Sequence, residues 1–240
     1  MSGREILLRA EAVGKRFGGF TALQGIDLEL RAGERLGLIG PNGSGKSTFV
    51  NCISGDFAAH DGQVTLAGKP LAGLKPHRRA RLGLARTFQL PQPFTSLSVL
   101  ENVRVPLLFS GEAAEASRRA LDCLEQVELA GKADKLPKEL TQVEQRRLEL
   151  ARAIALRPQL LIADEAMAGL SHAEVDQIIA LLLRLNAAGT AVIMIEHIMR
   201  AVTAFAERLI VFVAGRKIAD GPPQAVLALR EVEDAYLGKQ

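Results

Sequence analysis

The sequence contains no tryptophan and one tyrosine, so it lacks the aromatic platform on which unpaired nucleic-acid bases stack. Its two cysteines, Cys52 and Cys123, and four histidines fall into no metal-ligand spacing, and so few thiols suit a reducing compartment. Long hydrophobic runs are missing as well. The longest, 178–183 and 191–195, fall far short of the ~18 residues that would suggest a membrane span. The opening Met1-Ser2-Gly3-Arg4-Glu5 leads into a strand-like segment and not a secretory leader. A formal net charge of +3 is too small to argue for nucleic acid, and the one basic cluster, His77-Arg78-Arg79-Ala80-Arg81, reads as a solvated helix face. These absences predict a soluble, cytoplasmic chain that binds no nucleic acid and meets a membrane only through a partner.

What is present points elsewhere. With 48% hydrophobic and 24% charged residues over 240 positions, the chain has the material for a substantial core. One stretch organises it: Gly40-Pro41-Asn42-Gly43-Ser44-Gly45-Lys46-Ser47-Thr48, which fits G-x-x-x-x-G-K-[ST]. An apolar strand pattern, 35–39, precedes it, and 49–54 continues as a helix that ends near Gly55. Glycines let the backbone curl until several N–H groups point inward at phosphates, and the helix N-terminus adds partial positive charge. Lys46 would reach the β- and γ-phosphates of an NTP, and the Ser47 hydroxyl would ligate Mg²⁺.

Around this loop the pattern is mixed. Strands are predicted at 6–8, 26–30 and 63–67, with a glycine-softened turn at Phe17-Gly18-Gly19-Phe20, which makes an early antiparallel layer. A proline-bearing connector, Leu90-Pro91-Gln92-Pro93-Phe94, interrupts any helix there. Helical periodicity then runs over 98–129, clearest at 113–127, and again over 144–156. Buried strands follow at 160–163 and 190–195, separated by a helix over 174–186 that Gly189 ends. A hairpin over 208–219 and one short final helix complete the chain. The expected fold is α/β: a P-loop NTPase core with an antiparallel β subdomain (1–89 and 157–240) and an inserted helical subdomain (90–156).

Asp164 and Glu165 follow four apolar residues, the pattern of a strand delivering a carboxylate to Mg²⁺ beside phosphates. Glu165 is placed to polarise an attacking water; a strand merely ending in an acidic turn is the plain alternative. His197 ends a second strand, and parallel neighbours would set it beside Glu165. Gln89, after a short strand, is a candidate contact to water or Mg²⁺, or else a surface amide.

The set resembles the nucleotide-binding subunits of ABC transporters, which carry the loop, Arg86-Thr87-Phe88-Gln89, Leu161-Ile162-Ala163-Asp164-Glu165 and Ile195-Glu196-His197 in this order. Arg146 to Ala153 and Ala168-Gly169-Leu170-Ser171 look most like the subunits of branched-chain amino acid importers. The resemblance implies ATP and Mg²⁺ as ligands, with Phe17 stacked on the adenine, residues 40–48 on the phosphates, and Ser47, Gln89 and Asp164 about the metal. Glu165, His197 and Gln89 would carry the chemistry. It implies integral membrane permease subunits, a second ATPase subunit and a periplasmic binding protein as partners, at the cytoplasmic face of the inner membrane. Alternatives are a regulatory or assembly subunit that binds ATP with little hydrolysis, and a non-transport ATPase of the same superfamily.

The signature segment departs from that resemblance. Where such subunits read Leu-Ser-Gly-Gly-Gln, this chain reads Leu140-Thr141-Gln142-Val143-Glu144. Val143 puts a branched side chain where backbone approaches phosphate, and Glu144 brings like charge. Thr141 and Glu144 also match a helix capping box, which needs no nucleotide. Ala166 and Ser171 stand where proline and aspartate are common. A second subunit with an ordinary signature, hence a heterodimer in preference to a homodimer, is the expectation.

Overall fold

Two long strands, β1 (Ile6–Phe17) and β2 (Phe20–Arg31), open the computed structural model, which describes residues 4–88, 91–109 and 114–237. The first strand runs well beyond the predicted 6–8. Leu8 and Ala10 face inward while Arg9 and Glu11 face out, but Ala12 sits at φ 48° and the register shifts there. That bulge breaks the period-two pattern a sequence reading depends on. Next come β3 (Arg35–Ile39), α1 (Lys46–Ser54), β4 (Asp61–Leu66), β5 (Lys69–Pro70), α2 (Pro76–Arg81) and β6 (Leu84–Arg86). The helical stretch holds α3 (Val99–Phe109), α4 (Ala116–Gln126) and α5 (Gln142–Ile154). The chain ends with β7 (Leu160–Asp164), α6 (His172–Ala187), β8 (Ala191–Ile195), α7 (Met199–Phe205), β9 (Arg208–Val213), β10 (Arg216–Gly221), α8 (Pro223–Leu227) and α9 (Arg230–Leu237).

Strands β2, β1, β4 and β5 form an antiparallel sheet in that order, and β10, β9, β3, β8, β7 and β6 form a second sheet. In the second sheet β9, β3, β8, β7 and β6 are mutually parallel, and β10 pairs antiparallel with β9. The sheet is covered on both faces, which explains why β7 and β8 are continuous apolar runs. Alternation still sorts them. Leu161, Ala163, Val192 and Met194 join the cluster built from α3 to α6, while Leu160, Ile162, Ala191 and Ile193 join the cluster beneath α1 and the antiparallel sheet. The helical stretch therefore packs its apolar faces into a cluster shared with the parallel sheet.

Three local expectations change. The basic cluster is helix α2, but Arg79 turns inward, 5% exposed, and donates to the carbonyls of Leu74, Cys52 and Ile53. The last two are acceptors left open at the C-terminal end of α1, so this guanidinium closes a helix end and does not face solvent. Helix α7 follows directly on His197 without a predicted counterpart, and the single terminal helix is two, α8 and α9.

Candidate active site

The loop between β3 and α1 is shaped by glycines that nothing else can replace. Gly40 has φ 152°, and a Cβ there would lie 2.2 Å from the carbonyl oxygen of Phe212. Gly45 caps α1 at φ 103°, with Ala22 O 2.8 Å from where a Cβ would stand. Lys46, 5% exposed, folds back so that its ammonium donates to Gly40 O at 2.7 Å and Pro41 O at 3.1 Å. Burial pulls its pKa down, opposed by the charges of Glu165 and Asp164. Both carboxylates are thus within electrostatic reach of the loop, as the strand order requires: β3, β8 and β7 are neighbours and all end at one edge.

Parallel pairing sets Asp164 opposite Ile195 at the ends of β7 and β8. One residue on, Glu165 donates its N–H to Ile195 O at φ +47°, an uncommon conformation for a side-chain-bearing residue. That turn sends the carboxylate toward the loop, where its Oε1 lies 3.1 Å from His197 Nε2. The predicted juxtaposition of Glu165 and His197 is present. A groove of about 240 Å³ is lined by Phe17, Phe20, Ala22, residues 42–48 and Glu165. Phe17, 43% exposed, meets Phe57 edge-on at 5.3 Å with the Lys15 ammonium 5.2 Å from its ring centre. Gln89 lies outside the described residues.

Several neighbours of the predicted residues complete the site. Arg86 Nη2 binds Asp164 Oδ2 at 2.7 Å, while Nη1 reaches Asn51 Oδ1, Ser54 Oγ and Asp56 Oδ2. Asp164 N–H donates to Thr87 Oγ1 at 3.2 Å. Glu196, 3% exposed, accepts the N–H of Met167 at 2.9 Å; burial and the nearby charge of Glu165 push its pKa up to about 7. From the far end of the chain, Tyr236 accepts the Gly40 N–H at its phenol oxygen, and burial takes that phenol to about 12. Arg86, Thr87 and Glu196 lie in motifs the sequence shows, but only the fold shows what they and Tyr236 touch.

Among the described residues no cluster of three or more His, Cys, Asp or Glu is placed to hold a metal by protein ligands alone. The donor set is instead a hydroxyl on the first turn of α1, Ser47, and the carboxylate of Asp164, hard oxygens of the kind Mg²⁺ takes when phosphates complete its shell. These residues fit the ion.

The signature segment opens α5 with its donors already used. Thr141 Oγ1 accepts from Glu144 N–H at 3.4 Å, and Glu144 Oε2 accepts from Thr141 N–H at 2.9 Å. The second oxygen of Glu144 pairs with Lys132 at 2.5 Å, which holds its pKa below the ordinary carboxylate value. Val143 packs against the helical cluster.

A sequence profile described as ABC transporter matches residues 23–168. The chain is 36% identical to the high-affinity branched-chain amino acid transport ATP-binding protein LivG of Salmonella typhimurium, over 97% of this chain and 98% of that one. It is 34% identical, over the same shares, to the corresponding protein BraF of Pseudomonas aeruginosa. Among solved structures, a nucleotide-free ATP-binding cassette from an ABC transporter superposes with a TM-score of 0.90 at 30% identity, over 98% of this chain and all of that one. An ABC-transporter cassette in its ADP conformation does so with a TM-score of 0.90 at 31% identity, over the same shares.

Proposed function

The chain belongs to the ABC transporter family as an ATP-binding, ATP-hydrolysing cassette subunit, and we propose that it powers import of branched-chain amino acids or a closely related small nutrient. The observation that carries the catalytic half is the 3.1 Å contact between Glu165 and His197 at the mouth of the groove lined by residues 42–48. The substrate half rests on the full-length similarity to LivG and BraF.

In this reading Phe17 lies under the adenine, and residues 40–48 hold the phosphates through the loop's backbone N–H groups beyond Pro41. Lys46 exchanges its loop carbonyls for phosphate oxygens. Ser47 and Asp164 hold Mg²⁺, which supplies positive charge to the phosphoryl oxygens. Glu165 orients and polarises the attacking water, and His197 holds the Glu165 carboxylate and faces the γ-phosphate. Gln89 contacts the metal or the water and carries the state of the site into the helical segment. Residues 1–89 and 157–240 form the ATP-binding core, and 90–156 the signature subdomain.

The partners follow from what one chain lacks. A cavity of about 430 Å³ beside Arg86, lined by Phe88, Phe94, Val105, Pro106 and Arg152 among others, takes a cytoplasmic segment of a membrane permease. No helix among the described residues is long and apolar enough to cross a membrane, which agrees with a peripheral subunit. A periplasmic binding protein delivers the nutrient. The second ATPase subunit is a different chain: with Val143 and Glu144 in the signature, the site completed by this chain's Thr141 is weak, and the site on its own loop takes the partner's signature.

Two measurements test this. Glu165→Gln in the assembled transporter should lower single-turnover ATP hydrolysis at least a hundredfold while nucleotide affinity stays within about threefold. Turnover near wild type would remove Glu165 from the chemistry. Cells lacking this chain should lose high-affinity uptake of labelled leucine, isoleucine and valine; intact uptake of all three would refute the substrate class.

A further inference from the structure

Asp164, the carboxylate assigned to Mg²⁺, is 7% exposed and already has a cation. The Arg86 guanidinium lies 2.7 Å away and is itself only 11% exposed at the side chain. We infer that Arg86 is an internal counter-ion that holds Asp164 and competes with Mg²⁺ for its Oδ2, a positioning residue that sets how much magnesium the site needs. This inference rests on the reading of Asp164 as the metal-holding residue.

Three features support competition over a fixed structural pair. First, Arg86 has a second set of acceptors. Its Nη1 donates to Asn51 Oδ1 at 2.6 Å, Asp56 Oδ2 at 3.1 Å and Ser54 Oγ at 3.2 Å, all at the C-terminal end of α1. Giving up Asp164 would not leave the guanidinium unpaired, so the exchange avoids the penalty of a stranded buried charge. Second, the two carboxylates that share Arg86 differ in exposure: the Asp56 side chain is 42% exposed and that of Asp164 9%. Without Arg86 or a metal, Asp164 would be a buried carboxylate with no ion pair and only the charge of Lys46 in electrostatic reach, whereas Asp56 has solvent. Third, the fork has a spare donor: its Nε is buried with no hydrogen-bond partner among the described residues, and the guanidinium lies 5.2 Å from the Phe88 ring centre.

The position matters because Phe88 is 47% exposed and lines the cavity of about 430 Å³. The same guanidinium thus touches the metal-side carboxylate, the last turn of the phosphate-loop helix and the wall of that cavity. Lysine cannot reproduce this, since a single ammonium does not span acceptors on two elements the way a planar fork does.

The test uses thermal unfolding of the full chain with saturating ADP, in EDTA and across a Mg²⁺ titration, for wild type, Arg86→Met, Arg86→Lys and Asp164→Asn. Arg86→Met should melt lower than wild type in EDTA, gain more on adding Mg²⁺, and reach half of that gain at a Mg²⁺ concentration at least fivefold lower. Arg86→Lys should fall between and keeps the test open if the Met variant does not fold. Equal lowering of the melting temperature with and without Mg²⁺, at an unchanged half-saturating concentration, would mean that Arg86 is purely structural and would overturn the inference. A higher Mg²⁺ requirement in the Arg86 variants would overturn it as well. Asp164→Asn separates the premise: if it leaves the Mg²⁺ response intact, the assignment of Asp164 fails, whatever Arg86 does.

Discussion

Glu196 is the residue whose replacement by glutamine should make this protein more stable at alkaline pH. Its carboxyl is 3% exposed, accepts backbone N–H hydrogen bonds from Met167 and His197, and lies near the like charge of Glu165 with Arg146 as the opposing cation. Burial raises its pKa from 4.5 to about 7 in the folded protein. Each tenfold change in proton affinity is about 1.4 kcal/mol, so the gap corresponds to roughly 3 kcal/mol. The sign follows from which state keeps the proton. Below about 4.5 both states are protonated and the contribution is fully present; between 4.5 and about 7 only the native state holds the proton, so stability falls as pH rises. Above about 7 the native state carries a buried carboxylate and the full loss. Glu196→Gln keeps an oxygen for Met167 and removes the titration. Its extra amide hydrogens add a cost of about 1–3 kcal/mol if they find no acceptor, but that cost does not vary with pH. Urea unfolding of wild type and variant at pH 5.5 and pH 8, at fixed ionic strength, isolates the titrating part. The variant should gain about 2 kcal/mol on wild type between the two conditions. A stability difference that is the same at both would refute a raised pKa at Glu196.

Gly45→Ala should destabilise the fold by at least about 2 kcal/mol and weaken ADP binding in the same variant, because φ 103° and the Ala22 carbonyl leave no room for a methyl group. A urea midpoint within experimental scatter of wild type would show that the loop can relax. Val143→Gly with Glu144→Gln rebuilds an ordinary signature centre and keeps the capping box, at a cost of about 1 kcal/mol from helix propensity. ATPase activity of this chain paired with itself should rise severalfold; lower stability without higher turnover would leave the signature out of the asymmetry.

The sheet edge that builds the site was legible because it depends on short-range patterns. The loop needs a strand before and a helix after, and the β7 and β8 runs are apolar enough to be read as buried strands, so Asp164, Glu165 and His197 could be placed on one edge from order alone. What escaped depends on long-range partners. Arg79 looked like a surface cation in a basic cluster, yet its nearest acceptors, Cys52 and Ile53, are more than 20 residues away. Arg86 opens a motif visible in the sequence, but its pairing with Asp164, like the placement of Tyr236 at Gly40, depends on folds of the chain that no local period encodes. The capping box at Thr141 was visible because its partners are three positions apart; the pairing of Glu144 with Lys132 was not.

The carboxylates at the ends of β7 and β8 show how one edge separates roles among similar groups. Asp164, Glu165 and Glu196 carry closely related chemistry, and the strand pairing brings all three to one place. Their partners differ. Asp164 is paired with a buried guanidinium, the contact that a dication would have to replace. Glu165 is turned by φ +47° toward the groove and meets an imidazole. Glu196 is turned back on the segment after β7 and donates no charge to the groove while it holds its proton. Glu196 faces Met167 and lies within electrostatic reach of Glu165, so its ionisation adds negative charge near Glu165 without removing the contact between Glu165 and His197. The pH response of Glu196 and the magnesium response of Arg86 are therefore separable readouts of one electrostatic arrangement, and the double variant Arg86→Met with Glu196→Gln should show the two effects added with little coupling, since neither side chain shares a hydrogen-bond partner with the other.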